Sequence, residues 1–145
     1  MAIFRYKEAF SAQLDASEKG EENLESQYYP CINVAFMQFV SHNLPKAHKY
    51  ADFARQICQT LRERGEDSYW SQATEAEACL LLGEIDEALN AYSSAVGMPD
   101  AQPSYIASTR KQALQIASLY SDTAIREKVV EAFPVLGIVA CSGHV

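Results

Sequence analysis

The chain has 145 residues, of which 48% are hydrophobic and 21% are charged, which is typical of a globular protein that folds in water. Its 12 Lys and Arg against 19 Asp and Glu give a net charge of −7, which argues against nucleic acids and membranes as partners because both need clustered cations. No apolar run approaches the ~20 residues that span a bilayer, and the charged N-terminus lacks a signal peptide's apolar core, so we expect a cytoplasmic protein.

The first predicted helix covers residues 4 to 19 and carries Ala9 and Ala16 at a spacing of seven residues. The same spacing of small residues recurs later in the chain. We therefore interpret this helix as the second helix of a preceding, truncated unit. The polar stretch over residues 18 to 27 is predicted to be a linker.

The chain then repeats itself in register, which is its most informative feature. Glu25-Ser-Gln-Tyr-Tyr aligns with Glu66-Asp-Ser-Tyr-Trp. Small and apolar residues follow at the same offset: Ala35 with Ala76, Phe39 with Leu80, Leu44 with Ile85, Ala47 with Ala88, and Ala54 with Ala95. Periods of this length are typical of stacked helical units, each too small to bury its own apolar face. This class of protein usually binds other proteins rather than catalysing a reaction.

The second repeat unit shows best how each unit folds. Its first helix has an apolar stripe that includes Ala76, and Asp67 or Ser68 is the candidate N-cap. Gly83 supplies the left-handed residue that ends this helix, and an acidic pair at residues 86 and 87 opens the next one. The unit is therefore predicted to be a hairpin of two closely packed helices.

This pattern resembles the tetratricopeptide repeat. The family's preferences for small and aromatic residues are met at Ala76, Gly83, Ala88, Tyr92 and Ala95, with Pro99 near its closing proline. In the first unit His42 stands at the position of Gly83, and the second helix is long, from about residue 45 to 64 before Gly65 stops it. These extra turns account for a period longer than the family's usual ~34 residues.

Two more helices are predicted after a loop at residues 97 to 103 that is rich in Gly and Pro. Ser104 is expected to cap a helix that ends near Tyr120, and Asp122 a short helix from about residue 123 to 133. The predicted fold is therefore all-α over residues 1 to 134. The resemblance implies a right-handed α-α superhelix of six or seven helices in tetratricopeptide-like hairpins.

The pattern changes at residue 135, where Val-Leu-Gly-Ile-Val-Ala-Cys is followed by Ser-Gly-His. A continuous apolar, β-branched run before a glycine-containing loop is typical of a buried strand of a parallel sheet. We interpret residues 135 to 145 as the start of a following α/β domain or as a terminal strand. An unpaired strand of this kind is expected to dock on the last helix or to pair with a second copy.

Three motifs together are similar to one branch of these repeats: Tyr28-Tyr-Pro-Cys-Ile-Asn33, Asp67-Ser-Tyr-Trp70 and Leu82-Gly-Glu-Ile-Asp-Glu-Ala88. The branch is the TRAFs-binding domain of apoptosis signal-regulating kinases, which also occurs in bacterial multidomain proteins. Its first motif is similar to YYPGIN, with Cys31 here in place of the glycine. Bacterial members often continue into an apolar strand and a Gly-His-Met loop, which residues 133 to 144 resemble. The resemblance covers residues 20 to 145 and implies a regulatory or scaffolding domain without a catalytic residue.

Candidate chemistry is sparse in the chain. The four cysteines are widely spaced, and we interpret them as reduced thiols, three of which fill the core. Cys141 and His144 have the spacing of half a zinc site, but no second pair completes it, and no third group completes a nucleophilic triad. We expect no catalytic residue, no metal and no cofactor.

The candidates for partner binding lie on the predicted first helices, at positions that face the concave groove in repeats of this kind. They are Tyr29, Phe36, Trp70, Glu77 and Arg110. Aromatic residues and arginine are the usual anchors of protein interfaces. The alternative is that the recurring aromatic pairs pack between repeats, because aromatic burial dominates cores as well.

The leading functional prediction is a non-catalytic interaction or scaffolding domain of a larger signalling protein. Its partner would be a separate protein or peptide, or a neighbouring domain of the same protein. Two alternatives stay open. The helices could regulate an enzyme whose catalytic α/β domain begins near Val135, or they could form a homo-oligomerisation module such as a homodimer.

Overall fold

The structure, a computed structural model, describes residues 24–133. Over this range the chain forms six α-helices and no strand: α1 (Glu25–Val40), α2 (Leu44–Glu63), α3 (Tyr69–Leu81), α4 (Ile85–Val96), α5 (Pro103–Ala117) and α6 (Thr123–Ala132). The prediction of an all-α fold is confirmed for this part of the chain. The predicted helix at residues 4 to 19 and the strand-like segment at residues 135 to 145 lie outside the described residues.

Successive helices pack against each other in pairs. Three residues join α1 to α2 and also α3 to α4, and each pair packs along its length, so its helices run antiparallel. Further along, α5 packs on α6, while α3 also contacts α1, α2 and α5, and α4 contacts α6. Ten of the 13 residues of α3 are buried, which makes α3 the central helix.

The core is built on small residues at the places where helices approach closely. The alanines that recur at the repeat spacing are at most 1% exposed: Ala35, Ala47, Ala54, Ala76, Ala88 and Ala95. Cys31, Cys58 and Cys79 are buried, as predicted, and burial raises the pKa of Cys79 to about 11. None of the helices described between residues 24 and 133 is long and apolar enough to cross a lipid bilayer.

The turns after α1 and α3 each use a left-handed residue at the same point of the repeat. His42 has a φ of 64° and Gly83 a φ of 84°. Glycine adopts this conformation without steric cost, whereas a residue with a Cβ atom does so less readily. The alignment of His42 with Gly83 at the sequence level is therefore confirmed in the backbone.

We expect that His42→Gly raises the free energy of unfolding by about 1 kcal/mol and that Gly83→Ala lowers it by about 1–2 kcal/mol. Both changes act on backbone strain, because the side chain of His42 is exposed and a Cβ atom at Gly83 meets only the Tyr120 hydroxyl, at 3.9 Å. Urea unfolding followed by circular dichroism measures both. Ser41→Gly is the control, since Ser41 has a φ of −81° and gains nothing from glycine. Equal stability of the His42→Gly variant and the wild type would contradict the argument.

The predicted boundaries of two helices, α1 and α5, are wrong. The linker assigned to residues 18 to 27 extends too far, because α1 already begins at Glu25. Leu24 and Tyr28 pack against the end of α2 at Cys58 and Leu61, and this contact extends the helix towards the N-terminus.

The start and the end predicted for α5 are both wrong. Ser104 does not cap it: the helix begins at Pro103, and Gln102 is an N-cap without a side-chain hydrogen bond. Proline suits the first turn of a helix because its φ is already set and an amide hydrogen is not needed there. The helix ends at Ala117, three residues before the predicted end at Tyr120. The predicted caps Ser68 and Asp122 are confirmed, Ser68 with a complete capping box.

Candidate partner-binding cleft

A cleft of about 400 Å³ lies between α1, α3 and α5, which are the first helices of the three pairs. On α3 the lining residues include Trp70, Thr74 and Glu77, which follow the spacing of one helix face. On α5, Ser108 and Gln112 follow the same spacing. We call this surface the cleft.

Three of the five residues that the sequence analysis selected line the cleft: Tyr29, Trp70 and Glu77. Phe36 is not among the lining residues, since it packs, partly buried, against the hydrophobic core. Arg110 is not among them either. It follows Ser108 by two residues, or about 200° of helical rotation, so its side chain leaves a different face of α5.

The recurring aromatic pairs divide between the core and the cleft. The first member of each pair is buried, with Tyr28 at 7% exposed and Tyr69 at 0%. The second member is exposed, with Tyr29 at 62% and Trp70 at 38%. In each pair, therefore, the first aromatic residue packs between helices and the second is exposed at the cleft.

The indole ring of Trp70 is held in place by two neighbouring rings. It packs edge-on against Tyr69, with 5.1 Å between ring centroids and an interplanar angle of 82°, and lies 4.9 Å from the ring of Tyr105. Both geometries are favourable for aromatic pairs. A ring that is already ordered loses little conformational entropy when a ligand covers it. Trp70 is therefore a preorganised contact surface at the cleft.

Hydrogen bonds fix the first turn of α3 against α5 and against the loop that precedes α5. The Tyr69 hydroxyl donates to Thr109 Oγ1 at 2.7 Å, and Thr109 in turn donates to the Tyr105 carbonyl at 2.9 Å. The Tyr69 amide donates to the Asp100 carboxylate, at 3.0 and 3.1 Å from its two oxygens. Negative charge at a helix N-terminus is favourable. The wall of the cleft that carries Trp70 is therefore rigidly connected to the rest of the protein.

Glu77 is the carboxyl group of the cleft. Burial raises its pKa to about 7, and a hydrogen bond with Gln112 opposes this shift only partly. The ion pairs found in the described part of the chain join Arg55 to Asp52 and Glu84 and Arg62 to Glu75, so none involves Glu77. Near neutral pH, Glu77 is therefore a partly ionised carboxyl group without a cationic partner among these pairs.

A second group of potential ligand atoms lies at the turn between α3 and α4. The Cys79 thiol and the carboxylates of Glu84 and Glu87 lie within 4.8 Å of one another. Arg55 already pairs with Glu84 and also with Asp52, at 2.7 Å. Burial raises the pKa of Cys79 to about 11. The ion pair with Arg55 accounts for the position of Glu84 without a bound ligand.

Sequence reasoning missed the polar residues that α5 contributes. Lining positions on α5 follow those on α3 at one constant offset: Ser108 after Trp70, Lys111 after Ala73, Gln112 after Thr74, and Gln115 after Glu77. This offset is shorter than the one that relates α1 to α3, so the repeat seen in the sequence does not carry over to α5. The spacing of three, four and seven residues within α5 was the signal that could have identified them.

Comparison of the chain with known proteins gives no match. No family model fits the sequence, and neither the curated proteins nor the solved structures contain one that is significantly similar to it.

Proposed function

We propose that this protein is a non-catalytic interaction or scaffolding module that binds an extended segment of a partner protein in the cleft. The observation that carries the proposal is Trp70, a partly exposed indole ring held against two other rings in a cleft between three helices. Tryptophan is among the residues most enriched at the centres of protein interfaces. The partner is either a separate protein or a neighbouring domain of the same protein.

The size and chemistry of the cleft support an extended occupant. A volume of about 400 Å³ lies at the lower end of the ~300–1,000 Å³ typical of ligand sites, so it suits a few residues rather than a folded domain. The side-chain amides of Asn33 and Gln112 and the hydroxyl of Ser108 line it. Amides both donate and accept hydrogen bonds, as the backbone of an extended peptide requires.

We also propose that the helix pairs stack as tetratricopeptide-like hairpins in a right-handed superhelix. The packing of each first helix on the next first helix, and of α4 on α6, supports this arrangement. The resemblance to the TRAFs-binding domain supports a place beside a signalling domain. The wide spacing of the four cysteines supports a cytoplasmic location. The strand-like segment at residues 135 to 145 stays a prediction.

A peptide-display selection tests the proposal. A random-peptide library is selected on the full chain, and each enriched peptide is then titrated against purified variants by fluorescence anisotropy. We expect Trp70→Ala to weaken binding at least tenfold and Tyr29→Ala to weaken it less, because Trp70 is the ring that neighbouring residues hold in place.

Leu119→Ala is the matched control for that experiment. Leu119 is 43% exposed, comparable with Trp70, but does not line the cleft. Circular dichroism must show that each variant keeps the helical content of the wild type. The proposal fails if no peptide is enriched, or if the enriched peptides bind the folded Trp70→Ala and Leu119→Ala variants equally well.

A further inference from the structure

We propose that the cleft recognises a basic side chain of the bound segment, with the apolar stem of that side chain against Trp70 and its cationic head at the carboxyl group of Glu77. This inference rests on the proposed function, since it specifies the chemistry of the segment that the cleft binds. It follows from the way one face of α3 places an exposed aromatic ring and a partly buried carboxyl group in the same cleft.

Trp70 and Glu77 are two helical turns apart on α3, a distance of about 10 Å along the helix axis. Side chains of a helix lean towards its N-terminus, so the carboxyl group of Glu77 reaches back towards the turn that carries Thr74. Ala73, which also lines the cleft, leaves space between the two larger side chains. Lysine and arginine have the matching shape, because each places a charge at the end of a long apolar stem.

No cation pairs with the carboxyl group of Glu77 in the ion pairs of the described residues. Burial raises the pKa of Glu77 to about 7, because the ionised form is less well solvated in the cleft. A buried charge is costly unless an opposite charge compensates it. The cationic head of a bound lysine or arginine supplies that compensation. The chain's net charge of −7 also attracts cations from a distance.

The other charged or titratable groups around Glu77 are compatible with this role. Lys111 on α5 lines the same cleft, but its side chain is exposed and is not in the ion pairs of residues 24 to 133. Tyr92 on α4 interacts electrostatically with Glu77, and burial raises the pKa of Tyr92 well above its usual value, so its hydroxyl stays neutral. Tyr29 on α1 is the remaining titratable residue of the lining. The histidines of the described residues, His42 and His48, do not line the cleft.

The probe is a blocked pentapeptide, Gly-Gly-Lys-Gly-Gly, compared with two peptides that carry norleucine or glutamate at the centre. The full chain labelled with ¹⁵N is titrated at pH 8, and the indole N–H signal of Trp70 is followed. This signal is unambiguous because the chain has one tryptophan. We expect a saturable shift with the lysine peptide, at least tenfold tighter than with the norleucine peptide, because only lysine offers a charge to Glu77.

Two variants separate the effect of Glu77 on peptide binding from the effect of the protein's overall negative charge. Glu77→Gln keeps the shape of the side chain and is expected to reduce lysine-peptide binding at least tenfold, to the level of the norleucine peptide. Glu66→Gln makes the same change at an exposed residue outside the cleft and is expected to leave binding unchanged. Lowering the pH from 8 to 6 is expected to weaken lysine-peptide binding to the wild type roughly tenfold, because Glu77, with a pKa of about 7, becomes protonated. The same change should leave norleucine-peptide binding constant.

The inference is overturned if the lysine peptide gives no saturable shift, if norleucine or glutamate binds as well as lysine, or if Glu77→Gln binds like the wild type. The proposed function can survive this failure. Display peptides that lack Lys and Arg but bind in a Trp70-dependent way would support the interaction module and reject the basic side chain. Display peptides that depend on both Trp70 and Glu77, and carry Lys or Arg, would support both.

Discussion

Replacing Tyr69 with alanine is expected to lower the free energy of unfolding by about 3–5 kcal/mol, the usual range when an aromatic side chain is removed from a core. The side chain is 0% exposed, and its ring contacts the rings of Trp70 and Tyr105. Its hydroxyl also donates to Thr109, which ties α3 to α5. The change therefore leaves a cavity and disconnects two walls of the cleft. Urea unfolding followed by far-UV circular dichroism measures the loss.

Two further variants separate the contributions to this loss. Tyr69→Phe keeps the ring and removes only the hydroxyl, so it is expected to cost about 1–2 kcal/mol, the range for one buried hydrogen bond. Tyr29→Ala removes an equally large side chain that is 62% exposed and is expected to change stability by less than about 0.5 kcal/mol. A cost below about 1 kcal/mol for Tyr69→Ala would show that the contact between α3 and α5 does not stabilise the fold.

The parts of the fold that could be predicted from the sequence depend on local chemistry. A left-handed residue closes the turns after α1 and α3, so the repeat aligns His42 with Gly83, and both have positive φ. A hydroxyl or carboxylate must accept the orphan amides of a helix start, so Ser68 and Asp122 were recognisable as N-caps. These features require only neighbouring residues.

The start of α1 could not be predicted in this way, because it depends on a tertiary contact. Leu24 and Tyr28 form a small hydrophobic cluster with Cys58 and Leu61, which lie near the far end of the next helix. Local composition there is polar and favours a linker, but the buried area outweighs that preference. Burial also raises the pKa of Tyr28 to about 12, which is consistent with its closed environment.

The cleft was predictable on α3 and much less so on α5. Trp70 and Glu77 belong to a repeat that is visible in the sequence, whereas the third unit has a different register and no matching aromatic pair. The offset from α3 to α5 is three residues shorter than the offset from α1 to α3, and such a shift rotates the face of an α-helix by about 300°. Arg110 was selected as a groove residue, and the structure instead shows Ser108, Lys111 and Gln112 in the lining. A repeat predicts a surface only as far as its register is maintained.

The stability of the protein is expected to fall as the pH rises from 5 to 8, and Glu77 is expected to contribute up to about 3 kcal/mol of this change. Burial raises the pKa of Glu77 from 4.5 to about 7, so the folded state holds a proton that the unfolded chain releases at lower pH. The stabilisation by this proton is complete below about pH 4.5 and is lost as the pH rises through about 7. Urea unfolding at pH 5, 6, 7 and 8 measures it.

Glu77→Gln isolates this contribution from all other titrating groups, because glutamine cannot ionise. The variant and the wild type are expected to have similar stability at pH 5, and the variant is expected to be more stable at pH 8, by up to about 3 kcal/mol. Glu66→Gln, an exposed control, should follow the wild type at every pH. Curves for Glu77→Gln and the wild type that stay parallel from pH 5 to 8 would show that Glu77 is not desolvated in the folded protein.

The same carboxyl group connects stability with binding. A ligand that binds only the folded state stabilises it by mass action, and a cation that pairs with Glu77 also removes the penalty of its burial. At pH 8, the lysine pentapeptide should therefore raise the stability of the wild type more than that of Glu77→Gln. At pH 5 it should affect the two proteins alike, because Glu77 is then protonated and no longer attracts a cation. At neutral pH, Glu77 thus destabilises the folded protein when the cleft is empty. The same carboxyl group favours binding of a basic side chain in the cleft.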